Sequence, residues 1–150
     1  MRQCSPESDF QVEPAGGGVS ARIIRYLGSD WAVRIPSYIR GLPVTEIGRG
    51  AFRGRNLTEV VIPNTVLEIE ADAFRNNQLA SVAIPDSVTR VGFLAFRGND
   101  TLTSVTIPFA TLAAADAAWT NRSEFCAGAL SWRYGIPAGV IRNSAGVVVN

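Results

Sequence analysis

Apolar residues in the middle of the chain recur every 22 positions, far longer than the period of a single helix or strand. Val44, Val66 and Val88 keep this step, as do Ile47, Ile69 and Val91, Ala51, Ala73 and Ala95, and Phe52, Phe74 and Phe96. Leu57 to Leu79 is the same step, Leu79 to Leu102 is one residue longer, and Pro63, Pro85 and Pro108 follow suit. One unit is therefore written three times, over 41–63, 64–85 and 86–108. A fixed period with a fixed internal pattern predicts a solenoid, in which each coil buries its apolar side only against its neighbours.

Each letter of the unit has a physical reading. In Leu102-x-x-Val105-x-Ile107 the last two apolar residues alternate, so they point inward from a strand while Ser104 and Thr106 face out. Pro108 ends that strand, because it lacks a donor and fixes φ. The Val-x-x-Ile after each proline predicts a shorter extended piece on the opposite wall. The Ala-Phe pair then predicts one turn of 3₁₀- or α-helix, with Phe at the coil centre. Gly54, Asn56, Asn76, Asn77, Gly98 and Asn99 turn the chain back. Coils stacked about 4.8 Å apart would align the three phenylalanines into one aromatic ladder.

The pattern extends outward from this block. Trp31–Pro36 matches the strand-and-proline ending, and Ser37–Arg40 lengthens the first junction. Phe10, Val12, Val19, Ala21, Ile23 and Tyr26 alternate weakly around Gly16-Gly17-Gly18, predicting a β-hairpin that caps the stack. After Pro108 the pattern decays. Trp119 takes the Phe position, Leu112–Ala118 is alanine-rich and helix-favouring, Leu130–Pro137 loosely repeats the strand ending, and Gly146–Val149 suits a last edge strand. The expectation is a single domain of about five coils, with a cap over 1–26, regular repeats over 27–108, and a degenerate repeat with a C-terminal cap over 109–150.

The consensus Ile-Pro-x-x-Val-x-x-Ile-Gly-x-x-Ala-Phe-x-x-Asn-x-Leu-x-x-Val-x-Ile-Pro resembles the BspA-like, Treponema pallidum-type leucine-rich repeat, firmly over 24–108 and loosely over 109–137. Two departures concern packing: Ile47-Gly48 becomes Ile69-Glu70 in the second copy, and the cysteine usual near the turn is replaced by Asn or Gly. The resemblance implies a leucine-rich-repeat solenoid, a β-rich α/β fold that is right-handed and curved. It would carry a concave parallel sheet, with short helical or 3₁₀ turns on the other side. It also implies a bacterial surface or secreted protein that binds other proteins, host matrix proteins among them, or other cells.

Composition narrows the chemistry. The chain has 150 residues, is 47% hydrophobic and 18% charged, and has a net charge of +1. That describes a globular domain with no global field to attract nucleic acid. No run approaches the ~20 apolar residues of a membrane span. No secretory signal opens the chain, so it reads as cytoplasmic as it stands, or as a surface or secreted protein if a leader was removed. Cys4 and Cys126 are too few for a disulfide scaffold and read as free thiols, with a bridge between them as the alternative. Histidine is absent, which removes the Ser-His-Asp triad, the Cys-His pair, the zinc helix and the imidazole base. Glu68, Glu70 and Asp72 alternate on one coil and do not converge as metal ligands must. Gly16-Gly17-Gly18 opens no helix and so makes no phosphate loop. The expectation is no catalytic residue, no metal and no cofactor.

Surface candidates remain. Arg53, Arg75 and Arg97 follow the phenylalanines as a ladder, which near-zero net charge assigns to a solvated face rather than a polyanion site. Glu46, Glu68 and Arg90 form a row of mixed sign. Trp119, Trp132 and Tyr134 read as core or cap packing. Outward positions of the concave strands are Ala32 and Arg34, Glu59 and Val61, Ser81 and Ala83, Ser104 and Thr106, and Arg133 and Gly135. The middle of this face is small and nearly uncharged. Arg34, Glu59, Val61, Ser81, Ala83, Ser104, Thr106 and Arg133 are the candidate ligand-binding set, for a protein or peptide or for a second copy of the chain in a homo-oligomer.

Overall fold

The computed structural model describes residues 3–108, 141–143 and 145–148. The hairpin expected at the entry forms from β1 (Phe10–Ala15) and β2 (Ser20–Tyr26), paired antiparallel. Its reversal runs through Gly16, Gly17 and Gly18, all at positive φ, the region that a side chain disfavours. Beyond it the chain alternates between two walls. One wall holds β2, β5 (Leu42–Ile47), β7 (Glu68–Ile69) and β9 (Arg90–Val91), all parallel, with β1 on the outside edge. The other holds β3 (Ala32–Arg34) parallel to β6 (Glu59–Val61), then β8 (Ser81–Ala83), β10 (Ser104–Ile107) and β11 (Ile141–Asn143), parallel to one another. Parallel strands linked around a coil make a solenoid of about four turns, slightly fewer than the five expected.

The cap is built into the stack. β2 is itself the first rung of its wall, with Ala21 beside Val44 and Ile23 beside Ile47. The insertion before the first full repeat is a second hairpin, β4 (Tyr38–Ile39) against β5. Its turn residues Arg40 and Gly41 both have positive φ, 52° and 76°, as a type I′ turn requires.

The expected helical turn after the Val-x-x-Ile strand is absent among the described coils. Each coil instead makes two overlapping tight turns. Ala51, Ala73 and Ala95 donate to the carbonyls of Gly48, Glu70 and Gly92, and Arg53, Arg75 and Arg97 donate to those of Gly50, Asp72 and Leu94. Gly50, Asp72 and Leu94 have φ of 63°, 57° and 54°, and a left-handed residue inside the segment prevents the two turns from merging into a helix.

The repeated apolar letters fill the interior. Phe52, Phe74 and Phe96 are fully buried and stack with ring centroids 5.1 and 5.4 Å apart. Tyr26 continues the column 5.4 Å from Phe52, and Phe10 closes it 5.5 Å from Tyr26. The hairpin thus caps the stack with its own aromatic rungs.

The final strand differs from the expectation. β11 takes the place beside β10 with Ile141–Asn143, and of the segment expected to form the edge strand the described residues bridge back to β11, Val148 opposite Arg142 and the Val147 carbonyl accepting from the Asn143 N–H. Trp119, Trp132, Tyr134, Leu112–Ala118 and Leu130–Pro137 lie outside the described residues, as does Cys126; Cys4 is an exposed free thiol.

Candidate functional site: the concave sheet face

Alternation along short parallel strands sets what this face presents. Val33, Val60, Val82 and Val105 point into the core, so their neighbours point out. Register then aligns the outward side chains in two rows. Ala32 lies beside Glu59, and Ser81 beside Ser104. Arg34 lies beside Val61, Ala83 beside Thr106, and Thr106 beside Arg142. The 22-residue step carries Glu59 to Ser81 and Val61 to Ala83, completing both rows. Ser81 and Ala83 are exposed, while Arg34, Glu59, Val61, Ser104, Thr106 and Arg142 are half-buried.

The structure brings together seven of the eight expected site residues; the eighth, Arg133, lies outside the described residues. Arg142 on β11 supplies a positive end to the second row. The sequence carried a faint signal for it, the apolar Val140-Ile141 ahead of two polar residues, but no proline marks that strand.

The Arg34 end is the most sculpted part of the face. Residues 3–6 run along the outer edge of β3: the Ser5 N–H donates to the Arg34 carbonyl at 3.0 Å and the Ser5 hydroxyl accepts from the Arg34 N–H at 3.2 Å. Two grooves open there, both lined by Cys4, Arg34 and Val61. One, of about 170 Å³, reaches Asp30 and Glu59; the other, of about 410 Å³, reaches Ser37 and Thr65. The Nε of Arg34 is buried without a hydrogen-bond partner.

Elsewhere the polar letters serve the stack. Arg22 on β2, Glu46 on β5, Glu68 on β7 and Arg90 on β9 stand side by side. Arg22 meets Glu46 at 2.5 Å, Glu13 at 3.1 Å and Glu70 at 3.3 Å, and Arg90 meets Glu68 at 2.7 Å. The hydrogen bond that Arg22 Nε donates to Glu46 is the main influence holding the guanidinium above its usual pKa, against partial desolvation. This is the mixed-sign row expected from sequence, with Arg22 added to it. Glu70 also accepts from the Arg49 N–H and Asp72 pairs with Arg75, so the carboxylates of that coil are drawn apart to separate partners. Among the described residues no group of three or more potential ligands could hold a metal ion.

Coils of nearly one length, parallel strands on both walls and an unbroken aromatic column define a leucine-rich-repeat solenoid. The model of the BspA type Leucine rich repeat region (6 copies) matches residues 41–126, more than half of the sequence, and the chain belongs to that family. The crystal structure of a T. pallidum Leucine Rich Repeat protein is similar at 27% identity over 71% of this chain and 72% of that one, with a TM-score of 0.46. A leucine-rich repeat protein from Bacteroides capillosus is similar at 22% identity over 65% of this chain and 92% of that one, with a TM-score of 0.48. No curated protein matches the chain. Leucine-rich repeat proteins typically serve protein interaction or structural roles, and no helix among the described residues is long and apolar enough to cross a membrane.

Proposed function

We propose that this chain is a non-catalytic interaction module that binds a protein or peptide ligand across its concave sheet, in an adhesion-related role. One observation carries the reading. The paired rows leave Val61, Ser81, Ala83, Ser104 and Thr106 as a continuous small, uncharged strip, bracketed by Arg34 and Glu59 at one end and Arg142 at the other. A strip without long side chains admits close approach of another chain, and charged ends fix its direction. In this reading residues 1–26 cap one end of the stack, 27–108 present the surface, and 109–150 close the other end, with Arg133 within that closing segment.

A peptide library selected on the wild-type protein tests the site. The selected peptide is then titrated against Val61→Glu with Ala83→Glu, which places two carboxylates in the strip without touching the core. Binding at least about tenfold weaker, with an unchanged melting temperature, is expected from buried unpaired charge. Unchanged affinity would remove the concave strip as the site.

A further inference from the structure

The arginine column on the turn side is real and in register. The N–H of Phe52 donates to the Ala73 carbonyl and that of Phe74 to the Ala95 carbonyl, each at 2.8 Å. The N–H of Gly54 then donates to the Arg75 carbonyl and that of Asn76 to the Arg97 carbonyl. Arg53, Arg75 and Arg97 are thereby held one per coil. Each follows a buried phenylalanine, and those phenylalanine rings stack 5.1 and 5.4 Å apart, one per coil. Each precedes a residue at positive φ (Gly54, Asn76 or Gly98).

Charge on the molecule is segregated although its sum is near zero. The ion-pair row on the other wall sets Glu13, Glu46, Glu68 and Glu70 against Arg22 and Arg90. The turns carry Arg53, Arg75 and Arg97 with Asp72 and Asp100, while Arg55 lies with Asp9 and Asp30 around Tyr26. Arg75 is engaged by Asp72 at 3.2 Å, whereas exposed Arg53 and Arg97 have no ion-pair partner among the described residues. Salt screens beyond about 8–10 Å, so a docking partner responds to this local excess and not to the whole-chain sum.

We propose that this column docks an α-helix of a partner protein through a stripe of carboxylates, one per helical turn. An α-helix advances about 5.4 Å per turn, so Glu or Asp at i, i+3 or i+4, and i+7 repeats close to the step between the coils that carry the arginines, whose phenylalanine rings stack 5.1 and 5.4 Å apart. Other anions fit less well. Alternate residues of an extended strand lie roughly 6.6 Å apart. Single-stranded nucleic acid is held largely by stacking on exposed aromatic rings, and the rings behind this column are wholly buried. The proposal does not depend on the concave strip, and Val61→Glu with Ala83→Glu leaves it intact.

The test uses two stapled Ala-rich helical peptides of one composition, with glutamates either aligned one per turn on one face or scattered around the helix. Heparin fragments of equal charge serve as a third probe. The aligned peptide is expected to bind about tenfold tighter than the scattered one in low salt, and Arg53→Glu with Arg97→Glu should erase the difference while the circular dichroism spectrum is kept. Equal affinity for the two peptides would overturn the helical register. Unchanged binding by the double variant would overturn the site, and tighter binding of heparin than of the aligned peptide would overturn the partner class.

Discussion

The side-chain amide of Asn77 reaches into the coil before its own and donates to the carbonyl of Phe52 at 2.8 Å. The same nitrogen donates to the Phe74 carbonyl at 2.9 Å, while its oxygen accepts from the N–H groups of Arg55 and Leu57 at 3.0 and 3.1 Å. Asn99 repeats the arrangement one coil on, bonding the Phe74 and Phe96 carbonyls and the Leu79 N–H. These buried amides satisfy backbone groups that the tight turns leave without partners, so they act as rungs between coils.

Replacing Asn77 by Leu keeps much of the volume and removes all four hydrogen bonds. Buried backbone groups left unpaired cost about 1–3 kcal/mol each, partly relieved by relaxation and water. We expect a loss of about 3 kcal/mol in urea unfolding, with the same direction for Asn99→Leu. A loss below about 0.5 kcal/mol would mean that the rung is dispensable.

Gly92 lies directly over the preceding coil. A Cβ there would stand 2.8 Å from the Ala71 Cα, too close for any real contact. Gly92→Ala should therefore cost about 1–3 kcal/mol, as overpacking does. Gly54→Ala meets nothing within 4 Å but sits at a φ of 64°; its smaller expected cost, of about 1 kcal/mol, comes from the backbone alone. Thermal unfolding of the pair separates the two causes, and equal losses would contradict this assignment.

Tyr26 is buried in the aromatic column, and burial, with Asp9 and Asp30 nearby, raises its phenol pKa above the usual value. The folded state thus holds the Tyr26 proton more tightly than the unfolded chain does. That contribution is fully present below the unfolded value of about 10, and stability is lost as pH rises through the higher folded value. Melting temperatures across the alkaline range should fall for the wild type and fall less for Tyr26→Phe. Parallel curves would refute the linkage.

Glu46 and Glu68 are register partners of like charge, made tolerable by Arg22 on one side and Arg90 on the other. Arg22→Gln leaves Glu13, Glu46 and Glu70 without that cation. The side chain is 37% exposed, so after solvent screening the cost should be only about 0.5–1 kcal/mol in dilute buffer. It should shrink further in 1 M salt. A cost that persists in high salt would point to lost packing of the arginine stem.

The outcome also shows how far one-dimensional pattern reaches. The strands, the prolines that end them, the aromatic column and the inward or outward sense of Val61 or Ala83 all follow from a 22-residue step, because stacking places equivalent residues together. The asparagines were harder to read. Asn77 and Asn99 looked like turn residues, and only the folded corner shows that their side chains turn inward to bond neighbouring coils. Arg142 escaped notice for a related reason: β11 pairs by position in space, without a proline to mark it.

By itself, then, the sequence determined the solenoid, its repeat, its family and the row residues from Ala32 to Thr106, since a repeated apolar pattern has one economical way to bury itself. Tertiary structure decided what depends on contacts between coils. It replaced the expected helical turn with two tight turns, because left-handed residues at 50, 72 and 94 interrupt it. It put Ile141–Asn143 at the end of the concave sheet and built Tyr26 and Phe10 into the aromatic column. It also set Arg22 and Arg90 among Glu46, Glu68 and Glu70 on one wall, since charge placement depends on the direction each coil faces and not on the sum along the chain.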